Sequence, residues 1–432
     1  MFGFSPTLRR AAMSSNKPQL LQGVLGIHKP PGISSAQVLR DVERQFNPSK
    51  LFAPLLDAER EAVLAEKNNQ KDKYRRKKGP NRTTRVKLGH GGTLDPLATG
   101  VLITGVGTGT KALGRFLGEC TKTYEATVLF GCATDTYDNT GKVMGRVPYA
   151  HVTREMVEQA LDRFKGDIMQ KPPVYSALKF NGKKAYEIMR EGGQPPEMKE
   201  RPVTVYKLEL VDWMEPGTHA WRFPKEELDA SKEEKDAALS ASTSKAAAAE
   251  EEEASGKRKR EDEAPVSLSA KKTKTESESE TKNTAATNQD GKPEQASTTD
   301  PRTPSPQDDG SKAPAALIRM SVSSGFYVRT LCHDLGAAVN SLGCMTYLVR
   351  TQQGDFELGK NVLEYEDLEA GEDVWGPKVK GFLEGWMAQE DERQAEQGKE
   401  PAAARPRSRS PWKEKSKSPE RTEILPEEQV LD

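Results

Sequence analysis

The stretch His90-Gly91-Gly92-Thr93-Leu94-Asp95-Pro96-Leu97-Ala98-Thr99-Gly100-Val101-Leu102 sets one carboxylate between a glycine pair and a proline. Gly91 and Gly92 can reach backbone shapes closed to other residues. Pro96 fixes its own φ and pushes Asp95 toward extended geometry. The expected result is a stiff loop that presents a single acid and runs into a small-residue segment able to pack closely. An ordinary surface turn has no need of so many constrained residues around one charge.

Outward from this loop, hydrophobic periodicity predicts alternating element types. Leu20 to Pro30 reads as a strand entering the turn Lys29-Pro30-Pro31-Gly32. Ser34 or Ser35 can cap a following helix that carries Val38, Leu39, Val42 and Phe46 on one face. Thr121 to Gly131, Pro202 to Trp213 and Ala316 to Ser323 read as strands. Asp135 to Gly141 is turn chemistry, an amphipathic helix starts near Thr153, and Leu331 to Val339 returns to helix. Strands and helices mix without a regular βαβ rhythm. The expected class is α+β, a mixed and mostly antiparallel sheet flanked by helices and loops.

Of 432 residues, 34% are hydrophobic and 30% charged, and the formal net charge is zero. That balance is too polar for one fully packed globule, so part of the chain is expected to be disordered. Between Pro224 and Gly325 there is no aromatic residue, and residues 225–312 are read as a disordered insertion between two strands of one domain. Within it, Lys257-Arg258-Lys259-Arg260 and Lys271-Lys272-Thr273-Lys274 resemble a bipartite nuclear signal. Residues 50–85 are read as a basic insertion. Its run through Arg75, Arg76, Lys77 and Lys78 serves either as a solvated surface or as an RNA contact beside the Asp95 loop.

Residues 1–19 form a leader without Asp or Glu, carrying Arg9 and Arg10; it reads equally as a weak mitochondrial presequence or a frayed start, and Met13 offers a second initiation site. The catalytic domain is expected over 20–224 and 313–355, with a small helical appendage at 356–389 and a disordered tail at 390–432. The four cysteines form no Cys-x-x-Cys pair and the five histidines show no ligand spacing, so neither a metal site nor a disulfide framework is expected. No run of 18 apolar residues suggests a membrane span.

Several segments, in order, resemble the motifs of TruB-type pseudouridine synthases, which isomerise uridine within tRNA. Gly23 to Gly32 followed by Ser34-Ser35 resembles the first motif, which packs behind the catalytic loop, and the Asp95 loop resembles the second. Lys122-Thr123-Tyr124-Glu125-Ala126 resembles the third, Gly325 to Leu331 with Asp334-Leu335-Gly336 the fourth, and Tyr347-Leu348-Val349-Arg350-Thr351 the last. Lys171 to Lys179 and Gly182 to Tyr186 resemble a further signature.

The resemblance implies the pseudouridine synthase fold and a reaction without cofactor. It implies Asp95 as the catalytic carboxylate, Arg329 as its cationic partner and Tyr124 as a contact to the flipped base that handles a proton. His90, Tyr327 and Leu348 would bind the substrate, with Leu348 as an apolar wall beneath the uracil. These groups suit the chemistry. The reaction breaks the N1–C1′ bond, turns the base and rejoins it through C5, which calls for a carboxylate nucleophile or charge stabiliser and a base out of its stack.

Gly105-Val106-Gly107-Thr108-Gly109-Thr110-Lys111 resembles a phosphate-binding loop but fails it, because Thr110 stands where the second glycine belongs and Ala112 follows the lysine. A module that binds and rearranges the tRNA elbow without chemistry stays open; loss of activity without loss of binding would separate the two readings. Guide-RNA-dependent relatives usually differ just after Gly-Gly-Thr-Leu-Asp-Pro and carry a C-terminal PUA domain. Here Leu97-Ala98-Thr99-Gly100 follows, as in stand-alone tRNA enzymes acting at uridine 55 of the T arm. The resemblance therefore implies tRNA as partner, no guide RNA and a monomer, while the insertion, the nuclear-type signal and the leader suggest a eukaryotic enzyme of nucleus and mitochondrion.

Overall fold

A computed structural model describes residues 19–68, 84–242 and 308–399. The chain divides into two units, residues 1–386 and 387–432; of the second, only 387–399 are described, as helix.

The first unit is built on a ten-stranded sheet whose main path runs β14-β1-β3-β12-β4-β11-β10-β7. These strands are β1 (Gly23–Lys29), β3 (Thr99–Val106), β4 (Lys122–Phe130), β7 (Gly166–Gln170), β10 (Arg201–Met214), β11 (Ala315–Val322), β12 (Gly343–Gln353) and β14 (Val362–Leu363). Two short strands complete it, β2 (Leu88–His90) on β3 and β13 (Phe356–Glu357) on β12. Within this sheet only β1·β14 and β3·β12 pair in parallel, so the expected mixed, mostly antiparallel sheet is what forms. Two small hairpins stand apart, β5 (Cys132–Thr134) with β6 (Val143–Arg146) and β8 (Lys179–Phe180) with β9 (Lys183–Lys184).

Strand alternation decides what faces the core. Along β4, Tyr124, Ala126, Val128 and Phe130 are buried in one cluster with Met345 and Leu348 of β12 and Ile318 and Met320 of β11. That face is covered by α4 (Arg154–Asp162), through Val157, Ala160 and Leu161, and by α7 (Val328–Ala338), through Val328, Leu331 and Leu335. Thr153 caps α4 as its sequence suggests, accepting from the Met156 N–H at 3.3 Å. Ser34 does the same for α1 (Ser35–Phe46), whose Val38, Val42 and Phe46 are fully buried. The remaining described helices are α2 (Ala53–Asn68), α3 (Leu113–Gly118), α5 (Ala185–Arg190), α6 (Lys232–Ser242), α8 (Tyr365–Glu369) and α9 (Glu372–Lys399).

Two expected boundaries move. Residues 225–242 and 308–312, assigned to a disordered insertion, are structured. Val143 N–H donates to the Glu226 carbonyl at 2.7 Å, Phe223 N–H to the Asp309 carbonyl at 2.8 Å, and the Tyr149 hydroxyl to Asp308 at 2.7 Å. Backbone pairing of this kind needs no apolar side chain, which is why composition misses it. The two basic clusters of the nuclear-type signal lie outside the described residues, as do residues 1–18, 69–83 and 400–432.

The segment expected as an appendage is part of the sheet. β14 lies parallel to β1 at the sheet edge, and Trp375 is buried against Phe46 and Phe52 with ring centroids 5.0 and 6.5 Å away. The Glu372 carboxylate accepts from the Lys50 and Leu51 N–H groups at 3.1 and 2.8 Å. Residues 356–386 thus complete the main body.

Candidate active site

The loop bearing Asp95 joins β2 to β3 and is tied down at nearly every step. Gly91 N–H donates to the Ile103 carbonyl at 2.9 Å, and Gly32 N–H to the Pro96 carbonyl at 2.8 Å. Ser35 Oγ both accepts from Leu94 N–H at 2.9 Å and donates to the Leu94 carbonyl at 3.0 Å. Lys29 is completely buried at the end of β1, and its ammonium donates to the carbonyls of Pro30, Pro96 and Ala98 at 2.9, 3.1 and 2.6 Å. Burial, opposed by the charge of Asp95, pushes the Lys29 amine down to about 8. Gly100 takes φ 113° where β3 crosses β12, and a side chain there would strike the Arg350 backbone. Only glycine allows that approach.

Arg329, in the first turn of α7, meets Asp95 with two parallel bonds. Its Nε donates to Oδ2 at 2.7 Å and its Nη2 to Oδ1 at 3.1 Å. Two of its other N–H groups donate to the Thr136 carbonyl at 2.8 Å and the Tyr175 carbonyl at 2.9 Å. The Arg329 side chain is 6% exposed and that of Asp95 31%, so the cation is sealed below while the carboxylate keeps an open side. A second acid, Asp138, stands 3.8 Å from the Arg329 Nε and is itself buried. Burial raises its pKa, while Arg329 and bonds from Thr140 and Thr136 pull the other way. For Arg329, burial works against the charge but Asp95 and Asp138 outweigh it, and its pKa rises.

Tyr124 projects from the inner face of β4 and is 7% exposed. Its hydroxyl receives a long 3.5 Å bond from Nη1 of Arg350, whose charged carbon lies 6.0 Å from the ring centre. Arg350, fully buried in β12, also donates to the carbonyls of Val101 at 2.8 Å and Gly92 at 3.3 Å. One guanidinium therefore joins β12, β3, the glycine pair and Tyr124. Leu348, two residues earlier on the strand, packs in the same buried cluster as Tyr124, Leu94 and Ala98.

His90 sits half-buried in β2 with its Nδ1 sealed and unbonded. Burial lowers its pKa first, and the charges of Arg350 and Lys184 add to that. Tyr327 caps α7, and Gln170 grips both its N–H at 2.8 Å and its carbonyl at 2.9 Å.

The fold thus joins Asp95 directly to Arg329 and places Tyr124 and Leu348 in one wall beside Leu94. The Tyr327 ring lies instead under Arg201. Sequence reading leaves Lys29, Asp138 and Arg350 without roles. Lys29 and Arg350 carry a visible signal, a charge at an otherwise apolar strand position. Asp138 is hidden in Thr134-Asp135-Thr136-Tyr137-Asp138, which reads as a turn. The glycine-rich run after β3 becomes a short 3-10 turn, Gly107–Lys111, with Gly109 pressed on the Gly23 backbone. Among the described residues, no three His, Cys, Asp or Glu side chains group to hold a metal, and no helix is long and apolar enough to cross a membrane.

Residues 78–226 match the TruB family pseudouridylate synthase N-terminal domain. The chain is 38% identical to the tRNA pseudouridine synthase 4 of Schizosaccharomyces pombe, covering 81% of this chain and 83% of that one. Identity to the Saccharomyces cerevisiae protein of the same name is 31%, over 84% and 85%. Among solved structures, a Cbf5-Nop10-Gar1 complex aligns over 84% of this chain and 59% of that one, at 16% identity and a TM-score of 0.40.

Proposed function

Because this chain belongs to the TruB family of pseudouridine synthases, we propose that it isomerises uridine 55 in the T arm of tRNA, with Asp95 as the catalytic carboxylate. The observation that carries this reading is the Asp95–Arg329 pair, a doubly bonded carboxylate with one open side at the tip of a braced loop. The names of the yeast relatives supply tRNA as the substrate class.

Arg329 orients both carboxylate oxygens and spreads the charge that develops beside them. Asp95 then attacks C1′ or C6 of the flipped uridine, or stabilises the ribose cation as N1–C1′ breaks. As the C5–C1′ bond forms, a bond made by Asp95 to C1′ or C6 breaks and frees the carboxylate; the C5 proton departs and N1 gains a proton, so the product is an isomer. Tyr124 stands on the same wall to stack on the base and move that proton, with Leu348 behind it. No cofactor takes part. The enzyme works as a monomer without guide RNA, and its basic clusters and Arg9-Arg10 leader distribute it between nucleus and mitochondrion.

The test is a pseudouridine assay on unmodified tRNA, read at single-nucleotide resolution. Wild type is expected to modify position 55 alone, and Asp95→Asn to form none while still binding tRNA within a few-fold. Turnover by Asp95→Asn would rule out the carboxylate, and modification elsewhere would rule out the site.

A further inference from the structure

Three buried or half-buried arginines line this region, and two are fully explained. Arg329 and Arg350 direct their N–H groups to carboxylate, carbonyl and hydroxyl oxygens. Arg201, the first residue of β10, differs. Its Nε is sealed from solvent without a hydrogen-bond partner. Among the described residues no acid pairs with it. Its one defined contact is the Tyr327 ring, whose centre lies 4.8 Å from the guanidinium carbon. The two terminal nitrogens of this half-buried side chain keep accessible surface and have no hydrogen-bond partner among the described residues, so they are the donors a ligand can reach.

The position of Arg201 is not accidental. It pairs in register with Gln170 of β7, and Gln170 clamps the backbone of Tyr327 from both sides. The turn Gly325 to Tyr327 is thereby fixed beneath the guanidinium. Gly325 is exposed and takes φ 89°, a left-handed shape that favours glycine, and it lies in van der Waals range of the Arg201 guanidinium. The Tyr327 ring holds the guanidinium plane still, so a ligand meets preoriented donors.

We propose that Arg201 binds a backbone phosphate of the RNA strand immediately beside the target uridine. The proposal rests on the tRNA reading above. A planar guanidinium with no ion pair among the described residues fits a phosphate, which its two terminal nitrogens can meet with two parallel bonds. Tyr327 leads within two residues to Arg329, so a phosphate on Arg201 belongs to the strand entering or leaving the catalytic pocket. An extruded nucleotide needs its flanking backbone held, because base pairing and stacking no longer place it. A phosphate contact positions the strand without reading its sequence.

The test uses the full-length Asp95→Asn chain, which holds RNA without turning it over, and a T-arm minihelix. Adding Arg201→Gln to that chain should weaken binding about tenfold, the scale of one charge-assisted contact. It should also lower the slope of log affinity against log salt by roughly 0.7–0.9. Minihelices with a neutral methylphosphonate at the linkage 5′ or 3′ of uridine 55 then locate the contact. At one linkage the neutral RNA should bind equally well to the chain that keeps Arg201 and to the chain carrying Arg201→Gln; at the other the deficit should persist. Arg201→Lys keeps the charge without the fork and should fall between them, with the same linkage abolishing the difference. A deficit that persists at both neutral linkages, or binding unchanged by either substitution, overturns the proposal. Failure of the Asp95→Asn chain to bind the natural minihelix at all would instead overturn the tRNA reading.

Discussion

Asp95 and Arg329 stand 234 positions apart in the chain and meet through two bonds at 2.7 and 3.1 Å. The pair is asymmetric: the acid keeps an exposed side, while the base is buried and braced by two carbonyls and a second acid. Removing the base should therefore disturb more than charge. Arg329→Met is expected to reduce the single-turnover rate by about a hundredfold or more, because the carboxylate loses its fixed orientation. A variant that turns over at the wild-type rate would show that the braced loop alone positions Asp95. Asp138→Asn should be milder, slowing turnover with little change in tRNA affinity, since its carboxylate reaches Arg329 only at 3.8 Å. Rapid-quench kinetics against equilibrium binding separates those two effects.

The turn between β5 and β6 shows how an element can brace a residue it does not contain. Thr136 supplies a carbonyl to Arg329 and Asp138 its neighbouring charge, and between them Tyr137 adopts φ 63°. That left-handed shape costs a non-glycine residue roughly 1–3 kcal/mol. Its ring stacks on His333 of α7, with centroids 4.4 Å apart and planes at 12°. Tyr137→Phe should keep the stack and the rate, whereas Tyr137→Ser should slow turnover several-fold, measured at saturating tRNA.

Burial holds the His333 imidazole down to about 4. The unfolded chain takes up that proton near the ordinary value of 6.5. Between those values the unfolded state binds more protons, so stability rises with pH from 4 to 6.5 and is lost as the solution is acidified through the same window. Thermal melts from pH 4 to 7 should show that slope flattened in His333→Phe.

At the scale of the larger unit, the described ends of the long polar segment and residues 356–386 belong to the main body. Deleting 225–312 removes backbone partners of Val143 and Phe223 and the acceptor of the Tyr149 hydroxyl. Such a deletion should lower the melting temperature, while joining Ser242 to Asp308 through a short Gly-Ser bridge and omitting only 243–307 should leave it within a few degrees. Equal melting of both deletions would place the boundary back at 225. Trp375→Ala opens a void beside Phe46 and Phe52 and should cost about 3–5 kcal/mol in chemical denaturation, although it lies in a segment the sequence motifs do not cover.

The sequence by itself determined four strands of the sheet, β1, β4, β10 and β11, and the starts of α1 and α4, because these follow from local periodicity and from Ser34 and Thr153 at fixed offsets; β3, β7 and β12 are not read from it. It also singled out Asp95, because glycine and proline constraints on one acid are visible without any partner. Only the tertiary structure decided which charges meet. Lys29, Asp138 and Arg350 act on residues tens or hundreds of positions away, and a buried ion is explained only by the partners brought to it. The same holds for Trp375 and for β14, whose place depends on a sheet edge that β1 leaves open. Periodicity reports which face of an element is buried; it carries no record of what lies against that face.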